Sequence, residues 1–402
     1  MTKEKFTSRI DALPVFDTHT HLKGEALAAQ SFWDIGHYFW FIRELQSAGY
    51  PADPMALGPA QRIKAFWKAY QATTNTSMNW VVRRILSDLY GITLESEKDI
   101  RRADKAIRST SSDPGWPATV CARTYIERIF TNVPADAPFP GLDGVAGVLP
   151  RMERPIKGWL DRVSNAGDQS SEIETISGDI DKHIAAYKEA GYAGIMTSDD
   201  PFDRLRERTH DPHPLQRTGN TVDAIGVGIL HRLCQAVERH GMFIQFFLGI
   251  EKGYGTTAGG GGVPAYHGDR VLNLHGLFRL YQIPFELVLG DGLGNCDAIN
   301  AARIFPNVHV GGMWWYNFRT STYRQTMQQR FEALPSTKSE LVVSDARCIE
   351  WCYGKIVLIK KLVADYLYDQ IQDGWVDAEG AISIASSWLH DSAADLYRSS
   401  DA

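Results

Sequence analysis

The sequence predicts an α/β protein built as a (β/α)8 barrel of the TIM type, with a helical insertion after the first strand. Short β-branched or apolar runs alternate with helical stretches, as a parallel sheet with crossover helices requires. The runs number eight, at 14–18, 126–131, 144–149, 193–197, 243–248, 285–289, 308–312 and 341–344. The interval between the first two is too long for one crossover, and its stretches 31–47, 59–72 and 78–90 have helical character. All 402 residues are read as one barrel, with the insertion at 30–118.

Each element has a local reason. The run at 14–18 opens the barrel, and the loops after the strands' C-terminal ends are where such a fold carries its active residues. The insertion is dense in aromatics (Phe32, Trp33, Tyr38, Phe39, Trp40, Phe41), more than a surface tolerates, so they are expected to pack on the barrel or on a second subunit. A homo-oligomer is expected. After the eighth run, Ile356, Ile359, Val363, Tyr366, Leu367 and Ile371 follow the helical period, with Gly374 placed to end the helix.

Composition bounds the function. With 44% hydrophobic and 22% charged residues the chain is an ordinary globular one. Lys plus Arg total 42 against 48 Asp plus Glu, a net charge of −6 that argues against nucleic-acid or anionic-membrane partners. The first residues lack the apolar stretch of a secretory signal, and no run reaches the roughly 18 apolar residues of a membrane span, so a cytoplasmic protein is expected. Five scattered cysteines fit reduced, buried thiols. Cys348 and Cys352 read as buried positions one helical turn apart rather than a zinc site, because no second pair completes a tetrahedron.

The chemistry concentrates in Asp17-Thr18-His19-Thr20-His21. Alternation along a strand points His19 and His21 the same way, so both imidazoles can reach one ion. Two histidines leave a divalent ion short of ligands. Asp345, after the apolar Leu341-Val342-Val343 run, is the best oxygen donor, because in a closed barrel the eighth strand lies beside the first. Two imidazoles and a carboxylate suit zinc, with manganese or nickel as alternatives.

These residues also carry a resemblance. FDTHTHL (16–22), GHYFWFIR (36–43), VLPRMERP (148–155), SDDP (198–201), IQFFLG (244–249), GGMWWYN (311–317) and VVSDAR (342–347) resemble, in order, the uronate isomerase (glucuronate isomerase) family of the amidohydrolase superfamily. The resemblance implies a metal between His19, His21 and Asp345, with His37, Tyr38 and Arg347 near the substrate. It places Arg154 on the strand-three loop facing the substrate, with Arg151 as the alternative counterpart, and has Trp314 and Trp315 wall the sugar site. The implied activity is metal-dependent aldose–ketose isomerisation of a hexuronate, with Asp345, Tyr38 and His37 moving protons and Arg347 and Arg154 binding the carboxylate. The same ligands would serve a second reading, a metal-dependent hydrolase or hydratase acting on a small carboxylate.

The chain departs from the family pattern in three places. Phe247 stands where the family's fifth strand ends in histidine, and is expected to line the pocket rather than bind the metal. Phe41 stands for an arginine soon after the His-Tyr pair. A glycine-rich stretch at 253–262 replaces a polar loop, and its Gly259 to Gly262 run is read as a lid, since no Lys-Ser or Lys-Thr follows to make a phosphate loop. Gly290-Asp291-Gly292-Leu293-Gly294 lacks the dinucleotide spacing and context.

Overall fold

The computed structural model describes residues 1–132, 139–198, 222–251, 262–268, 270–315 and 319–398, and all structural statements concern these. Asp199 and Asp200, the stretch 253–261 with most of the expected lid, and Tyr316 with Asn317 lie outside them.

Seven parallel strands carry the barrel: β1 (Val15–Thr20), β2 (Ile126–Thr131), β3 (Ala146–Val148), β4 (Gly194–Ser198), β5 (Phe243–Leu248), β6 (Phe285–Leu289) and β7 (Val308–Met313). β1, β4, β5 and β6 are buried along their whole lengths, as strands covered on both faces must be. β1–β2–β3 form one ladder and β4–β5–β6–β7 another. A bridge between Arg151 and Met196 joins them, with Met196 N donating to the Pro150 carbonyl.

The eighth stave closes the ring. Residues 341–344 were expected as a regular strand, yet they form no regular ladder. The reason is competition from side chains. Ser344 N donates to Asp17 Oδ1 rather than to a neighbouring carbonyl, and Lys355 takes the Ser344 carbonyl. Closure comes from Glu340 N to the Val310 carbonyl on one side. On the other side Thr18 N donates to Val342 O, Asp345 N to His19 O and His21 N to Ala346 O. Gly312 permits the close approach of β7, because a Cβ there would lie 2.7 Å from the Val343 side chain.

The interior is apolar around a polar knot. Phe16, Phe130, Phe243, Phe247 and Val288 fill it, and the buried Glu286 accepts bonds from Thr18, Gln245 and Tyr397. Tyr397, from the last helix (Ser392–Arg398), packs on Phe16, Phe130 and Phe243 with ring centroids 5.0, 4.6 and 4.4 Å away. Since Phe16 and Phe243 begin their strands, this helix plugs the N-terminal end of the barrel. The C-terminal end is left for chemistry.

Between β1 and β2 lie six helices: Phe32–Gly36, Phe39–Ser47, Pro59–Ala72, Ser77–Tyr90, Glu97–Ser111 and Trp116–Thr124. The expected helix at 31–47 is split at His37 and Tyr38, so this pair sits at a helix junction and not on a helix face. Capping boxes at Ser31/Asp34 and Ser96/Asp99 start two of the helices, and Gly91, at φ +63°, ends a third. Most of the aromatics are buried within this one chain, Phe32, Phe41 and Phe66 completely. The helix after the eighth stave, Ile349–Gln372, begins earlier than its periodicity suggested and ends before Gly374, at φ +77°. Its buried Glu350 accepts from Ala29 N, Tyr90 Oη and Trp116 Nε1 at 2.9 Å each, pinning the insertion to the barrel. No described helix is long and apolar enough to cross a membrane.

Candidate metal and substrate site

His19 is the penultimate residue of β1, His21 directly follows the strand, and Asp345 reaches both from the eighth stave. Asp345 Oδ1 lies 3.0 Å from His21 Nε2 and 3.7 Å from His19 Nε2, and the imidazole centroids are 5.0 Å apart. Among the described residues these three form the one cluster of His, Cys, Asp or Glu able to hold a metal.

Hydrogen bonding tests whether the cluster fits a cation. His21 Nδ1 lies 2.9 Å from Asn132 Oδ1, an acceptor, so the ring proton sits on Nδ1 and Nε2 presents its lone pair. That lone pair faces Asp345 Oδ1, a buried oxygen with no donor of its own. Two acceptors 3.0 Å apart repel unless a positive charge lies between them. The donor set therefore fits a divalent ion, and the other carboxylate oxygen, Oδ2, is oriented by Trp40 Nε1 at 2.9 Å. Burial alone would raise the Asp345 carboxyl, but positive charge beside it, from a protonated His21 when no cation is bound and from Lys355, overrides this and holds the group well below the ordinary carboxylate range. His19 is held well below its usual value by burial and then by His21, so it stays neutral and able to ligate.

Asp345 occupies the left-handed region, at φ +52°. Beneath it, Tyr38 Oη donates to the Asp345 carbonyl at 2.6 Å and accepts from Lys355 Nζ at 2.6 Å. The Tyr38 hydroxyl is thus committed to the backbone of the aspartate. His37 is elsewhere in the junction: Nε2 pairs with Tyr50 Oη at 2.8 Å, and its ring lies on Trp33 at 4.6 Å. Burial and then Arg62 push His37 down to about 4, so it is neutral at pH 7.

Arg347 is exposed, two residues past Asp345, with its guanidinium 4.6 Å from the centre of the Phe39 ring and no ion pair among the described residues. A cavity of about 890 Å³ on the insertion side is lined by Trp33, His37, Tyr38, Phe39, Arg62 and Arg347, and none of the triad residues lines it. The two candidate arginines of the third loop separate clearly. Arg154 is exposed on the helix Glu153–Asn165, whereas Arg151 forks onto Glu153 and its charge acts on His19.

The tryptophan pair divides between two faces. Trp314 meets Phe247 edge-on at 4.8 Å, and Phe247 in turn lies 4.5 Å from the His19 ring. Trp315 points away, donating to the Val343 carbonyl under the Lys355 ammonium, which sits 4.0 Å from its ring centre. Phe41 is a core residue of the insertion, packed toward Phe66, and does not line the cavity. Trp40, Asn132 and Lys355 were missed from sequence. Asn132 had a usable signal, its place directly after a barrel strand, and Lys355 had a weaker one, a cation inside an apolar helical run.

A closed (β/α)8 barrel whose first strand ends in two histidines, met by an aspartate from the eighth stave, defines a barrel with a metal-ligand set at its C-terminal face. Solved structures with this fold align over nearly the whole chain. The uronate isomerase of Thermotoga maritima superposes with a TM-score of 0.78 at 13% identity, covering 98% of this chain and 97% of that one. The uronate isomerase of Bacillus halodurans gives 0.76 at 16%, over 99% and 96%, and the glucuronate isomerase of Caulobacter crescentus 0.77 at 13%, over 98% and 93%. At these identities the likeness is one of fold. No protein-family model and no curated protein sequence matches the chain.

Proposed function

We propose that the protein is a metal-dependent aldose–ketose isomerase acting on a hexuronate of the glucuronate or galacturonate type. The observation that carries this reading is the juxtaposition of a cation-ready triad with Arg347, which lies two residues from its aspartate and whose guanidinium makes no ion pair among the described residues. A substrate with a carboxylate at one end and hydroxyls or a carbonyl at the other spans such a pair. Arg347 takes the carboxylate through two parallel hydrogen bonds, supplemented by the Arg151 charge.

Isomerisation moves a proton between adjacent carbons while negative charge builds on an enediolate oxygen. A zinc ion held by His19, His21 and Asp345 would supply Lewis-acid stabilisation of that charge. Asp345 is proposed to carry the proton between carbons and neutral His37 to exchange hydroxyl protons at the cavity side. Tyr38 would act through Asp345, whose carbonyl it holds. Trp314 and Phe247 would exclude water from the reacting carbons.

The test is turnover of a hexuronate panel by the purified protein, with metal content measured in parallel. Isomerisation leaves product mass unchanged. A gain of water in the product would replace this reading with the hydratase or hydrolase one, and no turnover of any hexuronate would reject it.

A further inference from the structure

Lys355 has no place in the proposed chemistry, yet it is fully buried, and its hydrogen-bond acceptors are the Ser344 carbonyl and Tyr38 Oη. Aromatic faces surround it as well, Trp315 at 4.0 Å, Tyr38 at 4.6 Å and Trp351 at 5.9 Å from ring centre to Nζ, and the carboxylates of Asp345 and Asp17 act on it electrostatically. An ammonium is strongly hydrated, and burying one is costly unless its geometry is exacting.

The geometry points to a clamp. Successive carbonyls of an extended chain face opposite directions, whereas here one side chain gathers two of them. Lys355 holds the Ser344 carbonyl directly and the Asp345 carbonyl through Tyr38. Both can be reached from one side only if residue 345 leaves the extended region, and it does, at φ +52°. For a residue other than glycine that conformation is unfavourable and persists when its surroundings impose it.

We propose that Lys355, acting with Tyr38, is a positioning residue that imposes the left-handed turn at Asp345 and so aims its carboxylate at His19 and His21. The inference rests on the metal site of the proposed function but needs no substrate, so the two can fail separately.

The sign of one measurement separates positioning from simple electrostatics. The Lys355 charge acts on both Asp345 and His19. Burial lowers the Lys355 ammonium to about 7, so removing it would by itself leave cation binding unchanged or tighten it, whereas losing the clamp weakens it. In Lys355→Met, zinc affinity measured by chelator competition is expected to fall about 10- to 100-fold, the range for outer-shell partners of metal ligands. The visible spectrum of the cobalt-loaded variant is expected to shift as the carboxylate turns. Tyr38→Phe, which keeps the ammonium and its bond to the Ser344 carbonyl but removes the hydroxyl that links it to the Asp345 carbonyl, should weaken zinc similarly and serves if the lysine variant does not fold. The double variant should be little worse than the worse single one, because both remove the same clamp.

Unchanged or tighter zinc binding in folded Lys355→Met, or in Tyr38→Phe should the lysine variant not fold, would overturn the inference alone. A wild-type protein that takes no zinc at the triad would overturn it together with the functional reading.

Discussion

Glu350→Gln is expected to loosen the insertion from the barrel and to cost the fold about 3 kcal/mol. The carboxylate is completely buried and accepts three hydrogen bonds of 2.9 Å, two on Oε1 from Tyr90 and Trp116 and one on Oε2 from Ala29 N. Bonds to a charged acceptor are worth about 1.5–3 kcal/mol each. Glutamine keeps the size but turns one oxygen into a donor. If that donor faces Ala29 N, one bond is lost and two donors oppose each other; if it faces Tyr90 and Trp116, two bonds suffer. The charge lost also sits in the first turn of the helix Ile349–Gln372, where a negative group contributes about 0.3–1 kcal/mol. Urea unfolding followed by tryptophan fluorescence, with limited proteolysis of the insertion below the transition, reads both effects. A midpoint within about 0.5 kcal/mol of wild type, with the insertion equally protected, would show that the buried carboxylate is not the pin argued here.

The other expectations are shorter. Replacing both His19 and His21 with alanine should abolish stoichiometric zinc binding by elemental analysis while the far-ultraviolet circular dichroism is unchanged. Arg347→Lys should reduce kcat/KM on a hexuronate about 10-fold or more and spare the corresponding uncharged aldose, because an ammonium cannot form the planar fork; equal losses on both would remove the carboxylate role. Glu44 is raised to about 7 by burial, against the opposing hydrogen bond from Thr76. A raised acid stabilises the fold fully below its unfolded value, near 4.5, and that contribution is lost as pH rises to about 7. Wild-type stability should therefore fall by roughly 3 kcal/mol across this window relative to Glu44→Gln, as read from urea midpoints at pH 5 and pH 8.

The barrel was legible because its strands are short apolar runs buried on both faces, a pattern hard to mistake when it recurs at crossover spacing. The eighth stave shows where that legibility stops. Its composition is that of a strand, but Asp17 and Lys355 take the backbone groups a ladder would use, and no run of Leu and Val announces those side chains. The last two insertion helices were missed for a related reason. Glu97–Ser111 buries only Ile100, Ala103 and Ile107, so its apolar stripe is narrow, and Trp116–Thr124 is too short to show a period.

Within the site, the ligand triad was legible because its members are chemically distinctive and two share one strand. Their supports were not, since Trp40, Asn132 and Lys355 act through folding distances that sequence spacing does not encode. Phe247 shows that a change read as a loss can have a positive role. The phenyl ring lies 4.5 Å from His19 and is itself backed by Trp314. This wall contributes to the burial that holds His19 below its usual value. An imidazole so placed stays unprotonated at neutral pH and keeps its lone pair for a cation. The phenyl ring therefore keeps water from the candidate ligand His19, and a drier site strengthens every charge interaction made within it.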